Sequence, residues 1–364
     1  MNRTALRRLA APGVAALALG FALSACGAGN ETGGNSDSKL SGTLKGAGSS
    51  AQESAMDAWR AGFQKDNSDV TVNYDPSGSG AGVSGFNTGA LDFAGSDAAL
   101  DPTKGEVDAA KTRCGANALE VPDYVSPIAV AYNLDGVDTL NLSAKTVSAI
   151  FDGKITKWND PAIVAENPDA KLPGSAITPV HRSDESGTTK NFTDYLSQAG
   201  EGAWTHPADK VWPTTSGEAA NGTSGVIAAI KAGAGSIGYA DESQVGDLSV
   251  ASIKVGDAYV KPSADGAAKA LEVSPIDDSR TEGDLAVKVD RTTTEAGAYP
   301  LMLTSYLIAC PTYDGGKADL VKAFLKYIVS TTGQQEAADN AGSAPLPDAL
   351  QQKAEQIIDT ISAK

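Results

Sequence analysis

The stretch His181-Arg182-Ser183-Asp184-Glu185-Ser186-Gly187-Thr188-Thr189 brings one permanent cation, an acceptor, hydroxyls and a glycine into a few positions. That is the inventory of a clamp for a tetrahedral oxyanion. Arg182 offers a rigid fork of donors. Ser186, Gly187 and Thr188 offer hydroxyls and backbone N–H groups at the start of a helix, where the dipole favours negative charge. Asp184, two residues after Arg182, can hold the guanidinium in place. Taken alone, the same residues also read as a helix cap with a surface ion pair. Two further Ser/Gly clusters, Gly46-Ala47-Gly48-Ser49-Ser50 and Gly78-Ser79-Gly80-Ala81-Gly82, weigh toward the clamp.

The elements around these clusters follow an α/β rhythm of short apolar run, glycine-rich turn and helical period, the signature of a doubly wound fold. Leu44 leads into the first cluster, and Met56, Trp59 and Phe63 follow at helical spacing as an inner stripe. Val70, Val72 and Tyr74 alternate as a strand before the second cluster, and Leu91 to Ala94 reads as a third strand ending at Gly95-Ser96-Asp97. All three loops then leave the C-terminal ends of strands, the edge where open α/β sheets bind ligands. Ser126–Tyr132 and Leu301–Ala309 are apolar runs without helical period, suited to crossing between two domains as hinge strands. Ser143 caps a helix through Ile150-Phe151, Gly235–Ala240 reads as a strand, and Leu320, Val321, Phe324, Leu325 and Ile328 mark a late helix. A chain of 364 residues has room for two such domains.

The first residues read as a targeting segment. Arg3, Arg7 and Arg8 precede a short apolar core from Ala10 to Leu23, too short to span a bilayer, and Leu23-Ser24-Ala25-Cys26 follows. This tetrad resembles the lipobox of bacterial lipoproteins, which implies cleavage after residue 25 and lipid on Cys26. A plain secretory peptide cleaved near Ala25 or Ala28 is the alternative. Residues 26–41, small and polar, read as a flexible tether. Removing residues 1–25 takes away three arginines and no acid, so the formal charge goes from −16 to −19. Such a chain is a poor partner for nucleic acid and repels anions at long range, so an oxyanion site in it must work through local, oriented donors. In an exported chain disulfides persist, and Cys114 and Cys310 are expected to be bridged, two separate buried thiols being the alternative.

Six motifs occur in order along the chain: the two Ser/Gly clusters, Gly95-Ser96-Asp97-Ala98, Ile150 to Asp160 (IFDGKITKWND), the Arg182 to Thr188 clamp, and Ser236-Ile237-Gly238-Tyr239. Together they resemble the phosphate-binding protein of the high-affinity bacterial phosphate ABC transporter. The resemblance implies an α/β, two-lobed, periplasmic-binding-protein-like fold (type II, Venus-flytrap), each lobe a doubly wound sheet with flanking helices. Residues 42–124 with 302–364 would form lobe I, and residues 125–301 lobe II. It further implies a lipid-anchored, monomeric receptor outside the cytoplasmic membrane that delivers inorganic phosphate to permease and ATPase subunits, without cofactor or metal. Carried over by motif, Ser49, Ser50, Ala51 and Ser79 bind phosphate from one lobe, and Asp97 accepts a hydrogen bond from it. Arg182, Ser186, Gly187 and Thr188 bind from the other, with Asp184 orienting Arg182. Some members have Thr where Ser50 stands and an aromatic residue where Ala51 stands, and Glu185 replaces a small residue.

The chemistry of Asp97 separates the neighbouring readings. Phosphate near neutral pH keeps a proton that a buried carboxylate can accept, whereas sulfate would set lone pairs against it; a site built around such a bond rejects the analogue lacking it by about 10⁴ to 10⁵. A surface protein that senses phosphate or adheres without transport is a further alternative. An enzyme fits poorly: Asp-Glu-Ser-Gly-Thr is not a Gly-x-Ser-x-Gly elbow. Only His181 and His206 could act as an imidazole base, and both read as polar surface or loop. Gly153-Lys154-Ile155 lacks the Ser or Thr and the preceding glycine of a nucleotide P-loop.

Overall fold

A computed structural model describes residues 39–364. The leader, Cys26 and all but the last three residues of the expected tether lie outside the described residues.

Among these residues nine strands form one mixed sheet. Its order is Val70–Asp75, Gly42–Gly48, Phe93–Ser96, Met302–Ala309, Leu119–Asn133, Ser236–Asp241, Thr178–Arg182 and Glu218–Ala220, with Ser249–Val250 also paired to Leu119–Asn133. The long strand Leu119–Asn133 joins the two ends of the sheet. Its first part, up to Pro127, pairs antiparallel with Met302–Ala309, and from Ile128 onward it pairs antiparallel with Ser236–Asp241. All of its residues but Asn133 are buried, which is why it reads as a continuous apolar run rather than an alternating one.

On one side of this junction, Gly42–Gly48 runs parallel to both Val70–Asp75 and Phe93–Ser96. The helix Glu53–Asp66 buries the expected stripe of Met56, Trp59 and Phe63. Trp59 Nε1 donates to Gly333 O at 2.7 Å, and Phe63 packs edge-on against Phe324 of the helix Gly316–Val329. On the other side, Thr178–Arg182 runs parallel to Ser236–Asp241 and to Glu218–Ala220. The helix Ala144–Phe151 is capped by Ser143, whose hydroxyl accepts from Thr146 N.

Glycine at position 48 is a geometric necessity. Its φ is +141°, and a Cβ there would stand 1.9 Å from Gly95 O. That close approach lets Ser49 N donate to Gly95 O at 2.9 Å, so the ends of two neighbouring strands are fixed side by side. Trp158, in the IFDGKITKWND motif, is fully buried, with Nε1 donating to Gly235 O at 3.1 Å.

Cys114, the last residue of the helix Glu106–Cys114, is bridged to Cys310, the residue after Met302–Ala309. The bridge closes a separation of 196 residues. Restricting so long a loop in the unfolded chain is worth about 2 to 5 kcal/mol. The double substitution Cys114→Ser/Cys310→Ser is therefore expected to lower unfolding free energy by about that amount in urea titrations; an unchanged midpoint and slope would show the bridge to be energetically idle.

Candidate functional site

Asp97 follows the strand Phe93–Ser96 and is 2% exposed. Its carboxylate collects four hydroxyl donors from four places in the chain. Ser49 and Ser305 donate to Oδ1, the latter at 2.7 Å. Thr188 donates to Oδ2 at 3.0 Å and Ser79 at 3.5 Å. Four donors match the acceptor capacity of an ionised carboxylate.

Each donor is placed by local backbone geometry. Ser49 opens the turn after Gly42–Gly48, and its oxygen also accepts from Ala51 N at 3.1 Å and Gln52 N at 3.3 Å. Ser79 opens the helix Ser79–Asn87, and its oxygen accepts from Asp97 N at 3.2 Å. Thr188 lies in the first turn of the helix Gly187–Ala199, whose cap is Ser186 with its hydroxyl accepting from Thr189 N. Gly187 must be glycine because a Cβ there would come within 2.7 Å of Ser79 Oγ and 2.8 Å of Asp97 Cβ.

Arg182 ends the strand Thr178–Arg182 and is 3% exposed. It donates through Nε to Asp184 Oδ1 at 2.7 Å, with a second bond from Nη2 to Oδ2. Gly222 N donates to the same Oδ1 at 3.0 Å. Burial works to raise the Asp184 pKa, but the bonds and charge of Arg182 and the Gly222 N–H outweigh it and hold the carboxyl below its ordinary value. Arg182 thus presents a buried guanidinium whose orientation is fixed and whose charge is balanced.

The expected residues therefore fall into two adjoining groups. Ser49, Ser79, Thr188 and Asp97 form one hydroxyl–carboxylate knot, with Gly187 packed against it. Arg182 and Asp184 form the other, and a Cβ on Gly78, the residue before Ser79, would lie 2.5 Å from Asp184 Oδ2 and 3.5 Å from Arg182 Nη2. Ser50 turns to a residue outside the expected set, Thr223, whose hydroxyl is 3.0 Å away and whose N–H donates to Ser50 Oγ at 3.2 Å. Ala51 is fully buried, and its N–H is committed to Ser49 Oγ.

Three contributors were missed in the sequence. Thr223 lies in the first turn of the helix Gly222–Ala232, and its Gly-Thr pair repeats the Gly187-Thr188 signature. Ser305 stands with Thr304 and Tyr306 as a run of hydroxyl-bearing residues inside a buried, mostly apolar strand, a signal in itself. Asn191 sits one turn past the clamp, and its Nδ2 donates to Asp97 O at 2.6 Å and to Gly187 O at 3.0 Å, tying the two loops together. Glu185 keeps its side chain exposed, and its carbonyl accepts from Gly80 N at 2.9 Å. It lines a cavity of about 260 Å³ with Lys104, Lys190 and Lys210, whose ammonium groups pair with Asp209, Asp101 and Glu106.

His181 corrects an expectation: it is not polar surface but 6% exposed, stacked on Trp212 at 4.9 Å between ring centres. Trp212 in turn stacks on Tyr239, whose hydroxyl accepts from Arg182 N at 3.3 Å. His206 is half-buried and bonds Asp152 Oδ1 at 3.1 Å. Neither ring reaches the hydroxyl of Ser186, which is spent on the helix cap.

The sheet and its flanking helices define the class, a periplasmic-binding-protein-like architecture of mixed α/β type. A family model described as PBP superfamily domain matches residues 33–332. Phosphate-binding protein PstS 3 of Mycobacterium tuberculosis strain H37Rv is 40% identical over 367 residues, covering 96% of this chain and 98% of its own. Phosphate-binding protein PstS 2 of the same strain is 36% identical over 363 residues, covering 96% of this chain and 98% of its own. In fold, the chain is similar to a high affinity periplasmic phosphate-binding protein (PfluDING) solved with bound phosphate, at a TM-score of 0.71 and 21% identity over 86% of this chain and 93% of that one. The chain belongs to the PBP superfamily and, within it, to the PstS family of phosphate-binding proteins.

Burial lowers the His181 pKa from its ordinary value of 6.5, although bonds to the Arg182 and Ser216 backbones favour the charged ring. The folded chain then holds this imidazole neutral while the unfolded chain protonates it, so its contribution to stability is present above about pH 6.5 and lost as pH falls. His181→Phe, which keeps a ring against Trp212, is expected to flatten the decline in thermal midpoint between about pH 6.5 and 5. A decline as steep as that of the unsubstituted protein would rule His181 out as its source.

Proposed function

We propose that this chain is an extracytoplasmic receptor that captures inorganic phosphate between two lobes and delivers it to an ABC-type permease. The observation that carries the reading is the Asp97 knot: a buried acceptor, ringed by hydroxyls, beside a fixed guanidinium. Support from relatives is direct in kind, since chains named phosphate-binding proteins align along nearly its whole length. Hydroxyls are rotors. Those of Ser49, Ser79 and Thr188 can turn from the carboxylate to phosphate oxygens, and the proton that phosphate retains near neutral pH then donates to Asp97 in their place. Sulfate brings no such proton, so its oxygens would meet the carboxylate unpaired.

The lobes are residues 42–124 with 302–364, and residues 125–301. The partner switch of the long strand at Pro127/Ile128 marks the first hinge, and the entry to Met302–Ala309 the second. Closure brings Gly187 and Thr188 onto Asp97, and opening releases the ligand, which binds the closed form best. No covalent step is needed, so the protein acts as a receptor rather than an enzyme. Lipid on Cys26 and the tether after it hold this monomeric receptor at the outer face of the membrane, near its permease and ATPase.

Calorimetric titration of residues 39–364, stripped of anion, tests the reading. One-to-one binding of phosphate with sulfate silent is expected. Asp97→Asn should narrow the preference for phosphate over sulfate, and Arg182→Ala should cost about 2 to 5 kcal/mol of phosphate affinity by removing the guanidinium from the ligand and leaving Asp184 without a cation. Equal response to both anions would defeat the role given to Asp97, and silence toward both would defeat the receptor reading.

A further inference from the structure

Behind the anion site lies an acid that the reading above does not use. Asp123 is fully buried, and neither of its carboxyl oxygens has a hydrogen-bond partner among the described residues. It owes its place to a β-bulge: across Met302–Ala309, Ser305 pairs with Tyr124 and Tyr306 with Pro122, which leaves Asp123 as the extra residue. Bulges of this kind re-aim side chains beside functional sites. The residue opposite the bulge is Ser305, the same serine that donates to Asp97 Oδ1 at 2.7 Å.

We propose that Asp123 is a positioning residue that acts through Asp97: held as a neutral carboxylic acid, it adds no second charge beside Asp97 behind the ligand. The inference rests on the phosphate reading of the site. Two carboxyl groups in a dry interior do not both ionise, and the proton goes to the one with fewer donors. Asp97 has four hydroxyls. Asp123 has only the N–H groups of Asp123 and Tyr124, which favour its charge without hydrogen-bonding geometry.

The surroundings agree. Burial pushes the Asp123 carboxyl well above the usual carboxylate range, and the charge of Asp97 pushes it further. The phenol of Tyr74, on Val70–Asp75, is pushed well above its ordinary value chiefly by burial, and the nearby charge of Asp97 adds to this. Asp241, on the adjacent strand, is held by the Tyr124 hydroxyl at 3.0 Å. Uncharged side chains meeting this part of the strand include Thr304 and Ser305 from the return strand, Trp59 edge-on to Tyr124, and Gln334, whose Nε2 donates to Asp123 O at 2.8 Å. No cation stands in this set to compensate a second negative charge. An ionised Asp123 would therefore add repulsion toward a bound anion, and a neutral one does not.

Isotope-edited infrared spectroscopy of protein carrying carboxyl-labelled aspartate, with phosphate calorimetry on the same samples, tests this. Burial also raises Asp241 to about 7, so at pH 7 the spectrum should hold a protonated-carboxyl C=O component that Asp123→Asn removes and Asp241→Asn leaves, and Asp97→Asn should move the loss of that component to lower pH. Asp123→Asn should change phosphate affinity far less than Asp97→Asn does. The proposal is overturned by absence of the band, by a band lost at the same pH in Asp97→Asn, or by phosphate binding about tenfold tighter or more in Asp123→Asn, the mark of a removed charge. Should Asp123→Asn fail to fold, the displacement of the band in Asp97→Asn, measured in Asp241→Asn protein, decides the matter, because the charge of Asp97 raises Asp123. A protein that shows the band yet binds no phosphate would sink the phosphate reading while leaving the neutral Asp123 in place.

Discussion

A carboxylate that is 2% exposed can persist as a charge only where donors replace the water it has lost. Meeting that requirement at Asp97 organises the ligand edge of the sheet. Its donors come from the turn after the first strand, from the start of the second loop's helix, from the clamp and from the return strand, so four separated segments are pulled to one point. The backbone tolerates this crowding because Gly48 and Gly187 carry no Cβ where one would strike Gly95 O or Ser79 Oγ. Asn191 then fixes the spacing by bonding both the Asp97 and Gly187 carbonyls, and it is itself held by Arg291.

The charge count of the site explains why dipoles matter more than ions here. Arg182 is balanced by Asp184, and Asp97 adds a negative charge before any ligand arrives. What remains to attract an anion is the oriented backbone. The helices Ser79–Asn87, Gly187–Ala199 and Gly222–Ala232 all begin at this place, and each sets its positive end toward it. The same first turns do structural work, as when Gly222 N holds Asp184 and Thr223 N holds Ser50.

Legibility in the sequence divided along the line between local and tertiary causes. The Gly/Ser loops, the stripe of Met56, Trp59 and Phe63, and the Ser143 cap depend on spacing within a few residues, and each could be read in advance. The Cys114–Cys310 bridge was readable from compartment rather than from geometry. Ser305 and Thr223 were not read, because their roles exist only once the return strand lies beside Phe93–Ser96 and the late helix faces the first turn. His181 was misread for a related reason: the aromatic wall of Trp212, Phe192 and Tyr239 that buries it comes from three distant segments. Glu185 stood in the clamp motif in place of a small residue; its carbonyl accepts from Gly80 N of the second loop, and its side chain, which lines the lysine-bearing rim, also lies against Gly80.

On the proposed phosphate reading, the acceptor at the centre of the site is a handicap. It repels every ligand oxyanion that lacks a proton, and in a chain whose formal charge is already −16 no long-range attraction offsets the repulsion. The arrangement works because the handicap is conditional: a ligand that carries its own proton converts the repulsion into a hydrogen bond and frees the hydroxyls it displaces for its remaining oxygens. Discrimination then arises from one hydrogen atom rather than from size or charge, which a tetrahedral pocket alone cannot distinguish. Such a device is only as sharp as the number of negative charges behind it is fixed. On that reading the protonation state of the neighbouring buried acid Asp123, on a bulge opposite the serine that bonds Asp97, belongs to the chemistry of the site.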